Sequence, residues 1–262
     1  MSAFLRNVGK VSNAEAVSLK TRFGRRRVGG KLFRNLGPLR VVSASTGGDP
    51  YFASVVSLLH MNGTDASTTF SDAFRTWTAA GNAQIDTAQS MFGGASGLFD
   101  GTDDYVSTAS SADFNFGTGD FTVEFRARLV AILGTGNATI FMSDSGRSHL
   151  IWIETGPILS FDGSAGSRSS NVLTLSVDTW YAFAISRVGD TLYFFQDGVG
   201  VGSTSCAGDT FNLNVASGGT IISSNAAGNF GLNGWMDELR VTKGVGRYSA
   251  NYTVDTAAFP DS

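Results

Sequence analysis

The sequence predicts an all-β protein, an antiparallel β-sandwich preceded by an extended basic N-terminal arm, and three observations predict it. Thirty-three glycines against four prolines, with twenty phenylalanines, describe many short strands joined by tight turns. From Tyr51 onward apolar and polar residues alternate with a period of two, the signature of strands rather than helices. Charge is divided along the chain: residues 1–40 hold ten Lys+Arg and one acid, Glu15 (10 − 1 = +9). The remainder holds nine basic and twenty-one acidic side chains (9 − 21 = −12), which recovers the overall −3.

The arm, residues 1–45, comes first. Its stretch FGRRRVGGKLFRNLGPLR (23–40) is basic and spiked with aromatic and aliphatic side chains. Ser12–Glu15 fits a capping box that opens a short AEAVSLK helix, and a second helical turn at KLFRNL stops before Gly37–Pro38. Phe4, Leu5, Val8, Phe23, Val28, Leu32, Phe33, Leu36 and Leu39 are too many apolar groups for a solvated tail and too few for a separate core. SASTGGDP (43–50) follows as small, irregular chain, with the linker proper at 46–50 and the sandwich at 51–262.

Strands are expected at 56–61, 105–109, 139–143, 150–154, 158–162, 220–224 and 236–242. In DFTVEFRARL (120–129), Phe121, Val123, Phe125, Ala127 and Leu129 face one way and Thr122, Glu124, Arg126 and Arg128 the other, a strand with one buried face. TWYAFAISRVGDTLYFFQDGVGVGST (179–204) reads as three strands with a turn at Val188-Gly189-Asp190 and a type I′ hairpin at Asp197–Gly198.

SLLHMNGTDASTTFSD, the long segment from GNAQIDTAQSMFGG to DFTVEFRARL, TLYFFQDGVGVGS and GWMDELRVTKGVGRYSANYTVDTAAFP occur in order over residues 50–262. Together they resemble the laminin-G-like, concanavalin A-like lectin/glucanase jelly roll, in the form common among tailed-bacteriophage virion proteins. Val254-Asp255 departs from the family's usual prolines. The resemblance does not extend to the arm. The resemblance implies a non-enzymatic structural virion component, a head decoration, fibre or tail protein, assembled in the host cytoplasm. Its partners would be capsid or tail proteins, other copies of itself and a cell-surface glycan. The alternative it implies is a carbohydrate-binding module that recognises a host receptor.

The same architecture hosts laminarinase-type glycosidases, which set alternate carboxylates on one strand as E-x-D-x-x-E. No strand here carries that pattern. Glu124 faces Arg126 and Arg128 and reads as a surface ion pair, His60 and His149 lie in no nucleophile or metalloprotease motif, and Cys206 is the sole cysteine. These residues point away from an enzyme, and no stretch reaches the length of a membrane span.

Four candidate sites remain. From the resemblance, Asp237, with Asn62 or Asp72, would hold a structural Ca²⁺; alternatively Asp237 hydrogen-bonds a turn. Asp237 and Glu238 are expected on opposite sheet faces. Asp100, Asp103 and Asp104 fit a tight solvent-facing turn better than a cation site. Trp152, sharing a face with Leu150 and Glu154, could stack a sugar ring or pack in the core, while Trp77, Trp180 and Trp235 suit the core. In the arm, Phe23, Arg25, Arg26, Arg27 and Phe33 would anchor the protein to an acidic protein surface. Nucleic acid is the weaker partner for them, because phosphate binding needs no such apolar content.

Overall fold

The computed structural model describes residues 48–130, 138–142, 149–154, 156–214, 219–223 and 231–262. Contacts divide the chain into two units, Met1–Ala44 and Ser45–Ser262. The candidate anchoring residues Phe23, Arg25, Arg26, Arg27 and Phe33 lie outside the described residues.

The strands in chain order are β1 (Val55–Leu59), β2 (Thr69–Ser71), β3 (Thr76–Ala80), β4 (Gln84–Asp86), β5 (Ser96–Asp100), β6 (Tyr105–Ala109), β7 (Asn115–Gly117), β8 (Phe121–Leu129) and β9 (Ala138–Met142). They continue as β10 (His149–Glu154), β11 (Ile158–Gly163), β12 (Gly166–Val172), β13 (Trp180–Val188), β14 (Thr191–Gln196), β15 (Val199–Ser205), β16 (Phe211–Asn212), β17 (Gly219–Ser223) and β18 (Asn233–Lys243). One sheet runs β15-β14-β13-β8-β18-β5-β4, with β1 also paired to β18; the other runs β12-β11-β10-β9-β17-β6-β3-β2. All pairings are antiparallel, and a two-stranded ribbon, β16-β7, lies apart. This is the sandwich that the period-two pattern predicts. Among the described residues, no helix is long and apolar enough to cross a membrane.

The core lies between the sheets. Phe121, Val123 and Phe125 of β8, Phe183 and Ile185 of β13, and Leu192 and Phe194 of β14 meet Phe141, Ile151, Ile153, Leu159 and Phe161 of the facing sheet. Phe121 touches Phe161 edge-on at 5.5 Å between centroids and stacks on Phe116 of β7 at 4.4 Å. Each fully buried side chain of this size contributes about 1.5–3 kcal/mol, so the phenylalanine-rich composition is what lets the fold stand without a disulfide. The β14–β15 hairpin turns where expected: Asp197 and Gly198 have φ of 50° and 76°, the pair of positive angles of a type I′ turn.

The structure corrects the expected one-faced burial of β8. Thr122, Glu124 and Arg126 are as buried as the core residues between them. The reason is non-local: the chain after β18 folds back over the outer face of this sheet. Thr122 Oγ1 donates to the Val245 carbonyl and accepts from the Arg247 N–H. Phe259 joins Val55 and Leu58 in a second, small apolar cluster, with the Arg240 guanidinium 3.8 Å above its ring.

Glu124 is therefore not a surface partner of Arg126 and Arg128. It is 1% exposed, accepts from Arg240 Nε at 2.9 Å and receives the Tyr248 hydroxyl at 2.7 Å. Asp49 completes the network through Arg240 (3.1 Å) and a two-pronged pair with Arg247 (2.9 and 2.7 Å). Burial works against the Asp49 charge, but the Arg247 hydrogen bonds outweigh it and hold its pKa below the ordinary carboxylate value.

β18 also departs from simple alternation. Met236 and Leu239, three residues apart, both enter the core, because a β-bulge between Asp237 and Arg240 inserts one residue, with Glu238 at φ 50°. Asp237 and Glu238 thus do not simply alternate across the sheet.

Candidate binding groove

The groove begins on β14. Leu192 and Phe194 point into the core, so strand geometry turns Tyr193 and Phe195 to the outer face, where their rings stack at 6.5 Å. Tyr193 stays half-buried, while Phe195 is closed over by Tyr248 and Tyr252, each meeting it edge-on. Those two tyrosines stack on each other at 3.6 Å and 7°, which rigidifies the segment that carries them. That segment supplies Ser249, Ala250 and Asn251 as one wall.

The floor is β15, where Gly200, paired with Phe195, leaves the outer face bare; a β-bulge follows it, so Gly202 pairs with core-facing Phe194 and meets the groove through its backbone, and Gly198 lies in the turn before the strand. A Cβ on Gly198 would strike the Tyr252 carbonyl, and with φ at 76° no other residue fits there readily; the Tyr252 N–H donates to the Gly198 carbonyl at 2.9 Å. Gly200 is different: a Cβ there would make ordinary contacts with Asn251 and Phe195, so its bareness is space rather than necessity. Its N–H donates to Asn251 Oδ1 at 2.9 Å. Asn171 of β12 and Ser203 form the opposite wall of a shallow, solvent-open groove with a volume of about 490 Å³. Among the described residues, no carboxylate, histidine or cysteine lines it, so these supply no acid–base pair of the glycosidase kind there.

Trp152, the aromatic singled out from sequence, does not present an open ring. Ile151 and Ile153 enter the core, so Trp152 lies on the opposite face of its sheet, yet it is only 7% exposed. Trp77 is in the core as expected. Trp235 is not: its indole Nε1 donates to Asp86 Oδ2 at 2.6 Å and Arg128 lies 4.8 Å above its ring, and Trp180 is likewise only half-buried.

The three candidate calcium ligands separate into two places. Asp237 Oδ2 accepts the N–H groups of Met91 and Phe92 at 2.8 and 3.0 Å, while its Oδ1 is buried without a hydrogen-bond partner. Burial pushes its pKa up to about 7. The Asn62 amide lies against Gly93 in the same 91–94 loop, where a Cβ would collide with it. Asp72 is elsewhere, its oxygens taken by Ser57 Oγ (2.5 Å), Trp77 Nε1 (3.0 Å) and the Phe74 N–H (2.8 Å). Asp237 and Asn62 thus both approach the 91–94 loop, and Asp72 does not join them. Beside Asp237, Glu238 accepts from His60 Nδ1 at 2.7 Å and from the Phe259 N–H at 2.7 Å, and His60 Nε2 meets Asp261 at 2.9 Å. The Glu238 hydrogen bond, against burial and with help from Asp261, raises the His60 pKa to about 9.

Asp100, Asp103 and Asp104 do stand together in the turn between β5 and β6. Asp104 accepts the N–H groups of Asn82 (2.5 Å) and Asp100 (2.8 Å), and Asp100 accepts that of Thr102 (2.8 Å), which are the bonds of a tight turn.

Solved structures with the same fold include domain 4 of AbnA, a GH43 extracellular arabinanase from Geobacillus stearothermophilus, in complex with arabinotriose: 15% identity, TM-score 0.54, covering 74% of this chain and 94% of that domain. The binding domain of Paraclostridial Mosquitocidal Protein 1 (13%, TM-score 0.56) and that of botulinum neurotoxin serotype G (10%, TM-score 0.53) are covered over 51% and 49% of their lengths and cover 79% and 77% of this chain. The chain thus spans about half of those binding domains, and at these identities the likeness is one of fold. No curated protein matches the chain. The profile described as concanavalin A-like lectin/glucanases superfamily matches residues 100–245, from the β5–β6 turn to the end of β18 and just beyond, the region that builds most of both sheets. The chain belongs to the concanavalin A-like lectin/glucanase superfamily.

Proposed function

We propose that residues 45–262 are a non-catalytic carbohydrate-binding module and that the basic arm attaches it to a larger particle. The groove carries the first part. A half-buried tyrosine ring, two asparagine amides, two serine hydroxyls and exposed strand backbone are the groups that meet a sugar, apolar C–H face on the ring and hydroxyls on the amides. The arabinotriose complex of a structure with the same fold is in keeping with this. Glycan-array binding of the full chain, compared with Gly200→Val, tests it: glycans held by the wild type should be lost by the variant. Equal binding by both removes the groove from this role.

The charge division supports the second part. An arm of +9 with interleaved Phe and Leu suits docking on an acidic protein surface, and a tailed-phage virion is the particle that the sequence resemblance suggests. Mass spectrometry of purified particles tests that directly, and absence of the protein from them ends it.

A further inference from the structure

The groove's chemistry narrows its ligand further, on the carbohydrate reading just given. We infer that it selects neutral saccharides and rejects sialylated, sulfated or uronic-acid ones. None of its nine lining residues is charged. Behind Tyr248, Glu124 and Asp49 are matched by Arg240 and Arg247, and Arg126 is buried at 2% exposure under Phe259, so it does not line the groove where an anionic sugar would lie. An acidic group brought into the groove would give up water without gaining a counter-charge, which is strongly unfavourable. Outside the arm the chain carries −12, so longer-range electrostatics also oppose an anion.

A neutral hydroxyl-rich ligand suits this surface: amides and hydroxyls pair with its oxygens, and the Tyr193 ring covers a carbon face.

The experiment uses the full chain on an array of neutral, sialylated, sulfated and uronate glycans. The readout is the binding that Gly200→Val removes, because the basic arm can hold acidic glycans by charge alone and this variant leaves the arm intact. The groove-dependent hits should be neutral and should fall about tenfold with Tyr193→Ala, the loss of one stacking contact. They should change less than about twofold between 0.05 and 0.5 M NaCl, since no ion pair is screened. Asn171→Lys should add groove-dependent, salt-sensitive binding of acidic glycans. Groove-dependent hits that are chiefly acidic in the wild type overturn the neutral selectivity and keep the carbohydrate reading. Absence of any groove-dependent hit overturns both.

Discussion

Arg247 grips Asp49 with both arms of its guanidinium, Nη1 to Oδ1 at 2.9 Å and Nη2 to Oδ2 at 2.7 Å, joining positions 198 residues apart in the chain. The pair is buried, and without Arg247 the two buried carboxylates Asp49 and Glu124 are left to share the single Arg240 guanidinium. Arg247→Ala is expected to destabilise the fold by about 3 kcal/mol or more, measured by urea denaturation. Arg247→Lys should recover only part of that, because a point ammonium cannot reproduce the fork. Stability unchanged by Arg247→Ala would show that the strap after β18 is held without this pair.

The His60 latch gives a pH signature. Its folded pKa, about 9, lies above its ordinary 6.5, so its contribution is complete below pH 6.5 and is lost as pH rises through 9. The melting temperature should therefore fall over pH 6.5–9, and His60→Gln should flatten that limb. Subtracting the variant's profile also cancels the burial of Asp237, whose ionisation opposes folding at lower pH, between about 4 and 7. Parallel profiles for wild type and variant would remove the latch.

Asp237 offers a test of calcium. If Ca²⁺ takes the unpartnered Oδ1 together with Asn62, millimolar Ca²⁺ raises the melting temperature of the full chain, and at about 100 times its dissociation constant the gain is about 2.7 kcal/mol. Asp237→Asn should abolish the rise. Identical melting in calcium and in chelator would leave Asp237 as a backbone-capping residue only.

For the arm, deleting residues 1–45 is expected to leave a β-rich, soluble body that no longer co-purifies with particles. Replacing Arg25, Arg26 and Arg27 by alanine should weaken incorporation, and Phe23→Ala with Phe33→Ala should do so as well. Full incorporation of the armless body would exclude anchoring by this segment. An arm that binds genome instead would leave empty particles with less protein than full ones.

How much of this was legible in the chain depends on the range of the contacts. The β13-β14-β15 succession is local, and its alternation and Asp197–Gly198 turn locate it within a residue or two. The inward half of β8 is equally plain. Its outward half is not, because Thr122, Glu124 and Arg126 are covered by residues more than a hundred positions later, and GVGRYSANYTVDTAAFPDS has no periodicity to announce where it lies. Glu124 beside two arginines on the same strand face invited the wrong pairing for the same reason. Trp152 drew attention as a large aromatic, whereas the groove is marked by something smaller. Gly200 bares the strand face opposite Phe195, and two tyrosines four residues apart, Tyr248 and Tyr252, stack beside it. The bulge at Glu238 leaves no sequence trace that separates it from ordinary alternation.

The Asp49 N–H donates to the Ser262 carbonyl at 2.8 Å, so the body is entered and left at one place. A unit of that kind behaves as a cassette. It can be spliced into a surface loop of an unrelated host without forcing the host's own ends apart, and its sequence can be rewired by bridging 262 to 48 and reopening the chain at the Gly189–Asp190 turn. Such a permutant would also separate attachment from recognition, because a tether fused at the new ends would emerge from the β13–β14 turn instead of from the Asp49–Ser262 junction.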